Sequence, residues 1–157
     1  MSLAEMSASA RHGARSYGRC SHEQALVYAC EDVVAEVLGA RGMPSIDART
    51  FIERVCDAED LDPPTVLVER ASPKTRASAD QVTRTICIRG RHTTSATIIH
   101  EIAHLSSGAE MHDHAFRTEL VRLSRRHVSV EHASLLRALL VSVELSVGDW
   151  TTGSGRH

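Results

Sequence analysis

The sequence predicts an α+β fold in which a small β-sheet packs on one histidine-bearing helix, with further helices on its flanks. Three observations predict it. Apolar residues recur at helical spacing in five stretches between Ser21 and Val143. Two short segments, 65–69 and 81–88, carry the β-branched residues and alternation of strands. The run from Ala96 to Leu105 holds His100-Glu101-Ile102-Ala103-His104 with no Gly or Pro inside it. At 157 residues, with 42% hydrophobic and 24% charged content, the chain suits one compact domain with a proper core. That domain is placed at 21–150, between flexible tails at 1–20 and 151–157.

Each element has a local reason. Residues 1–20 scatter Ser9, Gly13, Ser16 and Gly18 among Arg11, Arg15 and Arg19 without apolar periodicity, which predicts an unstructured leader. Ser21 is a good N-cap, and Leu26, Ala29, Cys30, Val33, Val37 and Leu38 then keep helical spacing up to a stop at Gly39 and Gly42. Tyr28 on this helix is assigned to core packing. After Pro44, Asp47 caps a second helix through Phe51, Ile52, Val55 and Cys56, ending near Asp60. Asp62-Pro63-Pro64 breaks the chain before the strand Thr65–Glu69, and 71–80 reads as a polar loop. From Gln81 to Ile88, Val82, Ile86 and Ile88 fall on one face of a half-buried strand. Gly90 ends it, and Thr93 or Thr94 caps the histidine helix, which stops at Ser106-Ser107-Gly108. Another helix starts near His112 or Asp113, with Phe116, Leu120 and Leu123 inward. Ser129 caps the last one, which carries Leu135, Leu136, Leu139, Leu140 and Val143.

The bulk numbers exclude several function classes. A net charge of -2 offers no electrostatic basis for a nucleic-acid or membrane surface, and no apolar run approaches the length of a bilayer span. Aromatics are only 3% of the chain, so the core is built from Leu, Val, Ile and Ala. Cys20, Cys30, Cys56 and Cys87 form no C-x-x-C pair, which argues against a zinc ribbon and a dense disulfide framework. The start lacks an apolar signal region, so a cytoplasmic protein with reduced thiols is expected. Lys74 is the only lysine, which points to a GC-rich bacterial or phage coding bias.

The chemistry sits on the histidine helix. His100 and His104 stand one turn apart on one face, about 6 Å apart, a spacing that suits two ligands of one metal ion. Zinc in a catalytic site takes three protein ligands and leaves a place for water, and a neighbouring carboxylate such as Glu101 then serves as general base. A chance His-Glu-x-x-His in a chain of this composition has a probability of roughly one in twenty, so its setting must carry the assignment. That setting is a capped amphipathic helix after a strand, with more histidines just beyond it. On this helix Ile98, Ile102 and Leu105 form the core stripe, and Thr97, His100, Glu101 and His104 share another side. The alternative is a surface face with two satisfied histidines and a solvated Glu101.

A third ligand comes from beyond Gly108. The position six residues after His104 is Glu110, and Ser107 stands where a metzincin has Gly, which disfavours that pattern. Glu119 is the carboxylate placed for a thermolysin-like site, whereas His112 and His114 follow a short turn that can bring either back to the pair. His92, His127 and His132 are read as solvated, and Cys87 as a small buried hydrophobe.

His100-Glu101-Ile102-Ala103-His104 followed by His112-Asp113-His114-Ala115-Phe116-Arg117 resembles a small zincin-like metallohydrolase family of actinobacteria and their phages, and more distantly the SprT-like proteases. Tyr28–Val33 and Pro63-Pro64-Thr65-Val66 extend the similarity, which spans about residues 20–148. The resemblance implies a minimal metallopeptidase domain with Zn²⁺ on His100, His104 and His112, Glu101 as general base, and Phe116 buried. Asp113-His114 departs from the Gly-Pro of that family, so His114 stands as the alternative ligand, or as a group beside the metal. The expected function is zinc-dependent hydrolysis of amide bonds in a peptide or protein, without nucleic-acid or membrane partners. A regulatory peptidase of the ImmA/IrrE type and a non-catalytic, metal-stabilised binding protein are the alternatives.

Overall fold

The computed structural model describes residues 1–73 and 75–149; the expected tail at 151–157 lies outside the described residues. In chain order the elements are α1 (Leu3–Ala14), α2 (His22–Leu38), β1 (Gly42–Pro44), a 3-10 turn (Ser45–Asp47) and α3 (Ala48–Ala58). They continue with β2 (Thr65–Glu69), β3 (Ala77–Asp80), β4 (Thr85–Arg89), β5 (His92–Thr94), α4 (Ser95–Ser107), α5 (His114–His127) and α6 (Val130–Ser142). Six helices and two small sheets make the described residues an α+β structure. Contacts gather them into two compact units, one of residues 1–39 and 111 onward, the other of residues 40–110. That division falls inside the span 21–150 that the sequence presents as one domain.

The first unit is helical. In it α6 packs on α1, α2 and α5, and α1 packs on α2. Leu136, Leu139 and Leu140 of α6, Leu120 and Leu123 of α5, and Val27, Cys30 and Val34 of α2 are all buried. Each such leucine contributes about 2 kcal/mol by leaving water. The ends of these helices follow their sequence signals. The Ser21, Asp113 and Ser129 side chains accept from the N–H groups of Gln24, Phe116 and His132, and Gly39 takes φ +78° at the end of α2.

Residues 1–20 are not the unstructured leader expected of them, because most of the segment forms α1. The Ser2 hydroxyl accepts from Glu5 N–H while the Glu5 carboxylate accepts from Ser2 N–H, a reciprocal cap that satisfies two otherwise orphaned donors. Met6, Ala10 and Ala14 then fall one turn apart and are buried. A face made of alanine gives almost no hydrophobic periodicity in the sequence, yet it lets a second helix approach closely.

The second unit holds the sheets. One has the order β2-β4-β3, with β2 parallel to β4 (Val66 opposite Ile86) and β3 antiparallel to β4 (Ser78 opposite Cys87). The other is the antiparallel pair β1–β5, so Gly42 starts a strand rather than a helix stop. Helix α4 packs on β3, β5 and α3. Asp47 does precede α3, but its backbone is already helical and its side chain makes no cap bond.

Of the expected strand at 81–88, residues 85–88 fall in β4, but 81–84 and the expected loop at 71–80 give way to a hairpin. Asp80 Oδ1 accepts from the N–H groups of Val82 (2.9 Å) and Thr83 (3.0 Å), and Arg84 adopts φ +49°, so 81–84 is a turn. Ala77–Asp80 thereby becomes β3, and Val82 ends 90% exposed instead of sharing a buried face with Ile86 and Ile88.

His132, expected at the surface, is buried on α6. Burial pushes its pKa below the ordinary value of 6.5, against a smaller opposing pull from Glu31. The unfolded chain takes up this proton near pH 6.5 and the folded chain only at lower pH, so stability falls as pH drops below about 6.5. Urea midpoints measured on metal-free protein between about pH 7 and pH 5 are expected to decline less steeply for His132→Gln than for wild type. Equal slopes would mean that His132 titrates alike in both states.

Candidate metal centre

Helix α4 places the first two candidate ligands. Thr94 caps it, its hydroxyl accepting from Thr97 N–H at 3.1 Å, and its first residue follows directly from β5. The helix carries no exposed polar face. Ile98, Ile99, Ile102, Ala103 and Leu105 are buried, and so are His100, Glu101 and His104. The reading of Glu101 as a solvated surface residue is thereby removed. The His100 and His104 rings lie 5.1 Å apart at 65°.

The end of α4 fixes the chemistry of His104. Gly108 takes the left-handed conformation (φ +68°), which a residue with a Cβ adopts with strain, and returns its N–H to the His104 carbonyl. The Ser107 hydroxyl donates to Ala103 O and accepts from Ala109 N–H, so the turn is tied back onto the helix. This brings the Ala109 carbonyl to 2.8 Å from His104 Nδ1. A carbonyl only accepts, so Nδ1 carries the proton and Nε2 carries the lone pair able to bind a metal. Gln81, on the β3–β4 turn, donates to the His104 carbonyl at 3.1 Å.

His112 lies two residues before α5 and is also buried. The Tyr28 ring meets it edge-on at 5.0 Å and the Phe116 ring at 4.7 Å, so Tyr28 packs on this histidine as well as on Tyr17. Its backbone is held by Arg117, a buried guanidinium that donates to His112 O at 2.7 Å. The same guanidinium donates to Ser146 O (2.9 Å) and Ser146 Oγ (3.3 Å) and pairs with the Glu23 carboxylate. His100, His104 and His112 each offer a ligand atom, and these atoms lie within 4.8 Å of one another. The donor set is three imidazoles, one with its protonated nitrogen already assigned, and such a set can hold a metal ion.

The other candidates lie elsewhere. His114 is exposed, the first residue of α5, with Nδ1 2.9 Å from Ser146 Oγ. Asp113 and His114 thus occupy the cap and first helical positions, where Gly and Pro would also fit. Glu119 holds Arg122 at 2.7 Å, His92 is exposed, and Cys87 is a buried free thiol whose pKa is pushed up by burial. Neither His114 nor Glu119 belongs to the three-histidine group.

Sequence reasoning assigned no role to Ser107, Ala109, Gln81 or Arg117. In the sequence Ser107 reads as part of the helix stop and as a replacement for Gly, and Arg117 as part of a motif. The one signal for Arg117 is a cation in the first turn of a helix, where the dipole disfavours it and a partner is required. No protein-family profile matches the chain, and no curated protein or solved structure is significantly similar to it.

Two outcomes follow from this arrangement. After brief exposure to a chelator, His112→Ala is expected to have lost its metal while His114→Ala retains about as much as wild type; the reverse pattern would exchange their roles. Arg117→Lys is expected to lower stability by about 3 kcal/mol, since one ammonium cannot span acceptors on three segments. The same change at Arg122, partly exposed and paired within its own helix, is expected to cost under about 1 kcal/mol. Thermal denaturation of both variants checks the contrast.

Proposed function

We propose that this protein is a zinc-dependent metallohydrolase that cleaves amide bonds in a peptide or protein, with His100, His104 and His112 as the metal ligands. The observation that carries the reading is the convergence of three buried imidazoles beside a buried glutamate on the same helix turn. Three nitrogen donors suit zinc, and three protein ligands are what a catalytic rather than a closed structural site provides. When bound, the ion supplies Lewis acidity toward water and toward the carbonyl oxygen of the scissile bond.

The chain's own residues do the rest. Glu101, adjacent to His100, accepts the proton of the attacking water on its carboxylate. It then delivers that proton to the nitrogen of the leaving amine, so that amide and water become acid and amine with no other reactant consumed. Ala109 O holds the His104 proton on Nδ1 and keeps Nε2 basic. Arg117 and the Tyr28 and Phe116 rings restrain His112.

Glu101→Gln is expected to bind about one zinc per chain, like wild type, and to lose hydrolysis by about 10²- to 10⁴-fold. The experiment is a comparison of new N-termini released from a peptide mixture by the two proteins, alongside metal analysis of each. Equal cleavage by the variant would remove Glu101 from its role, and a well-folded wild type that takes up no zinc would sink the reading.

A further inference from the structure

We infer that the open edge of β2 is a docking site for an extended peptide carrying acidic side chains, separate from the three histidines. The register decides which backbone groups are available. Thr65 N–H donates to Arg84 O and Glu69 O accepts from Gly90 N–H, so residues 65, 67 and 69 face β4. By alternation, residues 66 and 68 turn their N–H and C=O groups outward. Arg49 of α3 covers Val66 O at 3.1 Å. Among the described residues nothing bonds to the N–H or C=O of Val68. A peptide strand can therefore pair there, the edge opposite β3, which is the strand packed on α4.

The surroundings select the peptide. A groove of about 700 Å³ runs past this edge, lined by Ser45, Ile46, Val68, Arg70, Ala71 and Arg91. Its apolar wall is unusually open: Ile46 is 84% and Val68 53% exposed. Ile46 is not loose, because Ser45 N–H donates to Arg91 O (2.8 Å) and Ser45 Oγ donates to Gly90 O (2.7 Å). Arg70 and Arg91 have no carboxylate partner among the described residues, whereas Glu69, also on the groove, faces Arg89 at 3.9 Å. Free backbone, apolar side chains and two unneutralised guanidinium groups together fit an extended chain alternating apolar and acidic residues. Nucleic acid would use the arginines but not the apolar wall or the strand edge.

Fluorescein-labelled Val-Glu-Val-Glu-Val and Val-Lys-Val-Lys-Val peptides test this by fluorescence anisotropy, with the full chain in the Glu101→Gln form so that neither probe is consumed. The acidic peptide is expected to bind more tightly by about tenfold, and to slow hydrogen exchange at the Val68 amide. Arg70→Glu with Arg91→Glu is expected to reverse the preference. Val68→Pro, which removes the outward-facing N–H while keeping an apolar side chain, is expected to abolish binding of both peptides. Equal affinity for the two peptides, a preference unmoved by the double charge reversal, or binding of a single-stranded oligonucleotide in place of either peptide would each overturn the assignment. Because no metal enters the measurement, its failure leaves the hydrolase reading untouched, and the converse holds.

Discussion

A buried imidazole has two ring nitrogens, and both need an answer once water is gone. In this chain three such rings come together, and much of the local structure exists to answer them. His104 shows how. The left-handed turn at Gly108 and the Ser107 hydroxyl deliver one backbone carbonyl to Nδ1, which leaves the lone pair on Nε2. A peptide carbonyl can only accept, so it selects the tautomer with the proton on Nδ1. Nε2, with its lone pair available, is then a nitrogen that can bind a metal.

The same constraint explains why α4 is surrounded. A helix with a polar stripe ordinarily turns that stripe to water, but here the stripe contains His100, Glu101 and His104 and is buried. Its polar groups are too few and too well placed to be solvation. The helix rests on β3 and β5, and Gln81 reaches from the β3–β4 turn to the carbonyl of His104. Strand, turn and helix therefore act as one support within residues 40–110.

What could be read from the sequence was whatever is decided within a turn of chain. Ser21 and Ser129 cap their helices as expected, and Thr94 is the one of the two expected candidates that caps α4, because a side-chain cap is a contact across three residues. The strand at 65–69 is equally local. The failures share the opposite property. Helix α1 buries Ala10 and Ala14, whose small side chains leave no periodic signal, and its stability depends on packing against α2 and α6. The hairpin at 77–88 turns through Gln81–Arg84 without Gly, Pro or Asn, relying on Asp80 and a strained Arg84. His132 is buried by its neighbours on other helices, which no spacing rule announces.

The candidate site divides along the same line. Its first half, His100 and His104, is an i, i+4 relation that any helix enforces, and it was legible at once. Its second half depends on contacts far apart in the chain. Arg117 reaches His112 only five residues away, but Glu23 lies 94 residues before it and Ser146 lies 29 after it. The sequence alone left His112 and His114 as rivals because both follow the turn at similar distance. The structure separates them by what lies around each: aromatic rings and a guanidinium about His112, solvent and a serine about His114. Arg117 holds His112 through its backbone carbonyl, and the Tyr28 and Phe116 rings pack edge-on against its imidazole. Tyr28, Arg117, and the Glu23 and Ser146 that hold Arg117 come from three separate stretches of the chain, so what distinguishes His112 from His114 is a tertiary arrangement that no local spacing could display.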